Sequence, residues 1–453
     1  MSELPNTWVD VEIGEIAEVI GGGTPKVNDA ENFTTPGHGI AWLTPADLSG
    51  YKAKEITRGA RDLTSQGYQS SSAKLMPKGS LLFSSRAPIG YVAVAANEIA
   101  TNQGFKSFVF SDGVVPDYAF YYLKSIRQLA DSLGTGTTFK ELSGATAKTL
   151  PFRLAPTAEQ TRIAAKLDEL LAQVDTLKAR IDGIPALLKR FRQSVLAAAV
   201  SGQLTEEWRA ASNIGEPHTS WQDTKLSELC TLVTSGSRGW ADYYAESGAI
   251  FIRSQDINTD ELDIADTAFV KLPQSSEGKR TRVQAQDILV TITGANVGKV
   301  ARVKQPLPEA YVSQHVALVR LQNPEISPFM ELYLKDIGSG RGELTELAYG
   351  GGKPGLNLSN IRNLAFVLPS QAEQTEIVRR VEQLFAFADQ LEARVKAAQA
   401  RIDRLTQSIL AKAFRGELVP QDPNDEPASV LLERIKAQRA VAPKAKRGKK
   451  ASA

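Results

Sequence analysis

One offset organises this sequence. Ala158-Glu159-Gln160-Thr161 returns as Ala372-Glu373-Gln374-Thr375, and Gln193-Ser194-Val195-Leu196 returns as Gln407-Ser408-Ile409-Leu410, both 214 residues later. A chain that repeats itself at that distance is expected to build the same unit twice, each copy being of ordinary domain size. At the same offset Ser201-Gly202-Gln203-Leu204 becomes Arg415-Gly416-Glu417-Leu418, which puts a glycine where a helix C-cap uses one.

Between these markers Ile163, Leu167, Leu170, Val174, Leu177, Ile181, Ile184, Leu188, Phe191 and Val195 recur at alternating steps of four and three. The second copy holds Ile377, Val381, Leu384, Ala388, Leu391, Val395, Ala398, Ile402, Leu405 and Ile409, every one apolar. That spacing is a heptad seam, and as a helix each copy would run about 50 Å. Gly183 and Pro185 interrupt the first copy where the second has Ala397 and Gln399, so one bent helix is expected there rather than two. The plainer reading packs each stripe on its own domain. A stripe so narrow and long favours a partner helix, and the chain supplies an equal one. A pseudo-two-fold relation between the repeats would make the two helices antiparallel.

The segments before each helix read as loop-rich mixed structure with short strands such as 16–20, 80–83, 91–94 and 106–110. They also align, loosely. Trp8-Val9-Asp10 lies against Trp221-Gln222-Asp223, Trp42-Leu43-Thr44-Pro45-Ala46-Asp47-Leu48 against Phe251-Ile252-Arg253-Ser254-Gln255-Asp256-Ile257, and Asn102-Gln103-Gly104 against Ser313-Gln314-His315. The scaffold repeats while its polar decoration diverges, as two readers of different short sequences require.

Together these features resemble the specificity subunits of type I restriction-modification systems. The resemblance is carried by Gly22-Gly23-Thr24-Pro25, the 42–48 strand and turn, the loops Arg86-Ala87-Pro88-Ile89-Gly90 and Gly294-Ala295-Asn296-Val297-Gly298, the paired Glu-Gln-Thr helix starts, and Arg415-Gly416-Glu417-Leu418-Val419-Pro420-Gln421-Asp422-Pro423. It implies an α+β fold of two tandem target-recognition domains, each followed by a long helix, the helices pairing as an antiparallel coiled coil with pseudo-two-fold symmetry. The expected boundaries are a first recognition domain at 1–155, a central helical spacer at 156–205, a linker at 206–217, a second domain at 218–369, a C-terminal spacer at 370–418, and a tail at 419–453 with a short helix and a basic end. The implied partners are double-stranded DNA with a bipartite site, two modification subunits carrying S-adenosylmethionine and methylating adenine, and restriction subunits using ATP and Mg. This chain itself would hold no cofactor and act as a non-catalytic organiser.

The absence of catalytic motifs agrees with that expectation. Gly351-Gly352-Lys353-Pro354-Gly355 lacks Walker A spacing, Gly21-Gly22-Gly23 lacks the third spaced glycine of a dinucleotide site, and Asn323-Pro324-Glu325-Ile326 lacks the second proline and aromatic of an amino-methyltransferase motif. His38, His218 and His315 are scattered, and Cys230 is the only cysteine, so neither zinc spacing nor a disulfide is available. With no apolar run near the ~20 residues of a membrane span and no secretory pattern at the N-terminus, a cytoplasmic setting is expected.

A net charge of +2 means that any DNA surface must be local. Base readers are usually Arg, Lys, Asn and Gln on loops. The candidates are Thr24, Lys26, Arg86, Gln103 and Lys106 in the first domain, and Arg238, Arg253, Lys299, Gln314 and His315 in the second, with Lys279, Arg280 and Arg282 as a phosphate cluster. For each one singly, a solvated charge or a structural contact is the plainer reading; as a class they mark candidate faces. Thr137-Thr138-Phe139-Lys140 and Lys353-Pro354-Gly355-Leu356-Asn357 touch DNA or turn the chain before each helix, and the basic tail around Lys444, Lys446, Arg447, Lys449 and Lys450 is a solvated end or a phosphate-binding arm. The rival from another class is a coiled-coil adaptor with no DNA role.

Overall fold

The computed structural model describes residues 4–86, 88–136, 140–237, 239–272, 280–350 and 354–441. The chain divides into two compact units, Met1–Ile181 with Ala398–Ala453, and Asp182–Ala397. Among the described residues no helix is long and apolar enough to cross a membrane.

In the first unit the strand Ala17–Gly21 pairs with Lys106–Phe110, and the sheet continues through Leu81–Phe83, Val92–Ala95 and Glu55–Ile56. A second sheet orders Phe33–Thr34, Asp62–Leu63, Ile40–Leu43 and Ala100–Thr101, the last pair parallel. Val9–Glu12 closes antiparallel on Pro151–Leu154. The second unit repeats this plan. Cys230–Ser235, Val316–Leu321, Ile288–Thr291 and Val300–Arg302 form one sheet; Tyr244–Ala245, Ala268–Val270, Ala249–Ile252 and Ala310–Val312 form another, again with a parallel last pair; and Gln222–Lys225 closes on Ala365–Leu368. Runs such as Leu81–Phe83 and Ile288–Thr291 are buried on both faces, which explains their continuous apolar character.

Each domain is clamped to the head of a long helix by the repeated Glu-Gln pair. The indole Nε1 of Trp8 donates to Glu159 at 2.9 Å, and that of Trp221 donates to Glu373 at 2.9 Å. Gln160 donates to the Ala155 carbonyl and Gln374 to the Pro369 carbonyl, both at 2.8 Å. All four Glu and Gln side chains are buried, so the motif is a structural joint.

The first long helix, Thr157–Val200, is a single helix running through Gly183 and Pro185; the second is Gln371–Ala413. Within the first unit Lys178 faces Asp403, and within the second Arg192 faces Asp389 and Glu392. Residue numbers fall along one helix as they rise along the other, so the helices pair antiparallel. One line of the seam is inside: Leu167, Val174, Leu188 and Val195 in the first helix, and Val381, Ala388, Val395, Ile402 and Ile409 in the second, are buried, with Ile181 half-buried. The alternate line opens outward. Ile163 and Ile377 are buried, Leu170, Leu384 and Leu391 are half-buried, and Leu177 and Leu405 are 48% and 45% exposed, contrary to the expected full seam. A straight helix drifts about 20° per heptad against a 3.5-residue repeat, and one partner helix covers only a narrow strip. The plainer reading of the stripe also holds at each start: Ile163 and Leu167 join the first domain's core, while Ile377 and Val381 pack with Trp221 and Phe329 of the second.

Both helices end at a left-handed glycine, Gly202 at φ +81° and Gly416 at φ +74°, as the sequence spacing predicts. Beyond Gly416, still within the first unit, the helix Ala428–Val441 buries Leu431, Leu432 and Ile435 in that unit's core.

Candidate nucleic-acid interface

In the first unit the strand Ala17–Gly21 runs out into Gly22-Gly23-Thr24. A Cβ on Gly22 would lie 1.9 Å from the Asn102 carbonyl oxygen, so only glycine permits the approach. Gly23 donates to the Thr101 carbonyl at 2.8 Å and accepts from the Trp42 indole at 3.1 Å. This places Thr24 beside Gln103, whose side-chain oxygen accepts from the Thr24 hydroxyl. Gln103 and Lys26 are exposed. Next to them Ser85 donates to the Gly104 carbonyl at 2.7 Å, which seats the Arg86 loop. Arg86 reaches Glu141 at 3.0 Å and Lys106 reaches it at 3.3 Å. Burial pushes the Glu141 carboxyl up, but the bonds from Arg86 and Lys106 outweigh it and hold the group below the usual carboxylate range. Glu141 thus stays charged, leaves the trio one net positive charge, and fixes the Arg86 fork in one orientation.

The second unit repeats the construction with different side chains. The strand Cys230–Ser235 runs into Gly236, where a Cβ would lie 2.1 Å from the Val312 carbonyl oxygen. The neighbouring Gln314 and His315 are exposed; their Nε2 atoms lie 3.2 Å apart, and His315 Nδ1 bonds the Thr293 hydroxyl. Trp240 stacks on Phe251 with centroids 5.3 Å apart. These groups border a hollow of about 300 Å³ with Tyr244, Arg253 and Gln255 on its other walls. The exposed Tyr244 ring, with a guanidinium and amide groups beside it, offers stacking and hydrogen bonds to base edges.

Several nominated cations are tied down. Arg253 bonds Asp256 at 3.0 Å and the Asp266 carbonyl at 2.8 Å, holding the turn that Thr44 and Asp47 hold at 2.7 Å in the first unit; the Asp256 bonds raise its guanidinium further. Lys299 donates to the Asn258 carbonyl, and Lys106 is largely covered beneath Glu141. Arg280 touches the Ser237 hydroxyl at 3.3 Å, and Arg282 is exposed. Arg238 and Lys279 lie outside the described residues, as do Ala87, Thr137-Thr138-Phe139, Gly351-Gly352-Lys353 and the basic tail from 442 onward. The aromatic wall of Trp240 and Tyr244 was not nominated from sequence, although the cluster Trp240, Tyr243 and Tyr244 directly after Gly236 was a usable signal. Among the described residues no group of three or more His, Cys, Asp or Glu could hold a metal ion.

The family model for the type I restriction modification DNA specificity domain matches twice, over residues 5–186 and 219–398. The chain belongs to the type I restriction-modification specificity subunits. It is 32% identical to the type I restriction enzyme StySPI specificity subunit of Salmonella potsdam, covering 97% of each chain. It is 31% identical to the EcoKI specificity subunit of Escherichia coli K12 over 99% of this chain and 98% of the relative. A chain solved in work on the assembly and conformational transition of the type I system superposes with a TM-score of 0.64 at 18% identity, covering 92% of this chain and 99% of that one, which shows the shared fold. A specificity subunit is the non-catalytic, DNA-recognising component of its system.

Proposed function

We propose that this specificity subunit reads a bipartite duplex site, one half with each domain, while the paired helices set the gap between the halves. The observation that carries this reading is the contrast between two structures repeated 214 residues apart: the helix seams correspond position for position, whereas the loop faces at equivalent glycine turns carry Thr24, Arg86 and Gln103 in one unit and Gln314 and His315 in the other. Gln103, Gln314, His315 and the Arg86 fork are the base readers. Lys26, Arg280 and Arg282 contact phosphates; Lys279 is assigned to phosphate and Arg238 to base reading from the sequence alone. Lys106, Arg253 and Lys299 position the readers through the bonds described above. The domains occupy 1–155 and 218–369 and the spacers 156–205 and 370–418. Two modification subunits bearing S-adenosylmethionine dock on the chain, and restriction subunits bring ATP and Mg chemistry.

Replacing residues 1–150 by the corresponding domain of another family member tests the division of labour. Mapping of methylated adenines in DNA exposed to the hybrid complex should show one half-site changed and the other kept. A change in both halves would overturn the reading.

A further inference from the structure

The helix Pro116–Ser125 and its repeat, Ser327–Lys335, occupy the same place in the two units but face opposite electrostatic surroundings. In the second unit Lys335 is matched by Glu331 at 2.7 Å and Glu261 at 3.1 Å; Glu331 also binds Arg302 at 2.8 Å, and Glu261 binds Lys304 at 2.8 Å. Asp260 holds Arg341. The first unit keeps the lysine, as Lys124, and replaces all three carboxylates: Phe120 stands where Glu331 does, and Tyr51-Lys52 stands where Asp260-Glu261 does.

The result is a groove of about 300 Å³ lined by Lys52, Lys124 and Arg127 together with Tyr51, Tyr91 and Gln407. None of the three cations forms an ion pair among the described residues; Lys124 lies 5.1 Å over the Phe120 ring and Arg127 lies 5.2 Å over the Tyr91 ring. All three are exposed. Burial of its stem pushes the Lys124 ammonium below the usual lysine range, and Asp175 offsets this in part through space; Asp131, in the adjoining hollow, is held by Lys140 at 3.1 Å. The groove shares a wall with the reading loop. Pro88 and Ile89 line the adjoining hollow, and Gly90, at φ +89°, lets the Arg127 stem cross it where a Cβ would lie 2.5 Å away. Arg86 is four residues earlier on that loop.

We propose that Lys52, Lys124 and Arg127 form a clamp for the DNA sugar-phosphate backbone beside the first unit's reading loop, a contact that the second unit, having neutralised the same groove internally, does not make. This rests on the DNA-reading assignment above and adds an asymmetry to it. Three unpaired cations in one groove, Lys124 and Arg127 of them lying over aromatic rings, suit successive phosphates, which position a protein without reading sequence. Continuity with the Arg86 loop favours DNA over an acidic protein segment.

The test is the salt dependence of duplex binding by the full chain with its modification subunits. In Lys52→Gln/Lys124→Gln/Arg127→Gln, the slope of log K against log salt should fall by about 2.7, three phosphates at roughly 0.9 each, with the ratio of specific to non-specific affinity kept. Tyr51→Asp/Lys52→Glu, which copies the second unit's carboxylates, should lower the slope by a similar amount, whereas Lys304→Gln/Lys335→Gln in the second unit should leave it unchanged. An unchanged slope in both first-unit variants overturns the clamp, as does an unchanged slope accompanied by loss of modification-subunit recovery, which would mark a protein-docking groove. Failure of the unmodified complex to distinguish any duplex sequence would instead overturn the reading assignment.

Discussion

The glutamate at the head of each long helix receives a tryptophan indole in both units, yet its second oxygen meets different chemistry. In the second unit Arg209, itself buried, donates to Glu373 at 2.8 Å, with Thr205 on the same oxygen at 2.8 Å. In the first unit the corresponding donor to Glu159 is the neutral amide of Gln421, an exposed residue, while Arg162 nearby is occupied by Asp425 at 2.7 Å. One joint is a buried ion pair and the other a charge held by neutral donors close to water. A repeated backbone therefore tolerates two electrostatic solutions, provided that each buried carboxylate oxygen finds a donor.

Breaking the ion pair should have the largest effect. Arg209→Met leaves Glu373 buried without its cation and is expected to cost about 3 to 5 kcal/mol, read as an earlier urea transition of the second unit. The capping glycines come next. A Cβ on Gly202 would meet Pro217 at 2.4 Å and one on Gly416 would meet Pro5 at 2.3 Å, both at positive φ, so Gly202→Ala and Gly416→Ala should each destabilise by about 1 to 3 kcal/mol in thermal melts. Gln421→Ala, where water can replace the amide, should cost only about 0.5 to 1.5 kcal/mol; a loss equal to that of Arg209→Met would erase the distinction between the joints.

The pH response sharpens the same comparison. Burial raises the Glu159 carboxyl, outweighing the bonds from Trp8 and Gln421. A folded value above the unfolded one means that this group's contribution is fully present below the ordinary carboxylate range and is lost as pH rises through the raised value. Glu159→Gln should therefore flatten the pH dependence of urea unfolding above the ordinary carboxylate range, and an unaltered profile would show that the joint does not titrate there. The smallest effect is expected at Gly183, where an added Cβ meets nothing within 4 Å: Gly183→Ala should stabilise the first helix by up to about 1 kcal/mol.

The repeat, the helix pair and the capping glycines were legible because each rests on local periodicity or on one offset, and an amphipathic stripe declares its own buried side. The Trp-Glu joint was half legible: both residues were marked by the repeat, but their meeting across about 150 residues was not. Arg253 shows the limit for site residues. It reads as an exposed loop cation, yet Asp256 occupies its guanidinium, and nothing in composition separates a cation that holds a turn from one that waits for DNA. The exposure of Leu177 and Leu405 was hidden for a related reason, since a heptad pattern does not state how many partner helices will cover it.

What the sequence determined by itself is the duplication: two similar α+β units and two helices in one register, because periodicity and chain direction are properties of the covalent chain. What only the tertiary structure decided is which charges are paired. Lys124 and Lys335 are the same residue in the same helix position, and one is exposed over Phe120 while the other is bound by Glu331 and Glu261. Electrostatic pairing falls off over a few ångströms of space whatever the separation along the chain, so the free charges of a binding surface appear only once the fold has brought their possible partners near.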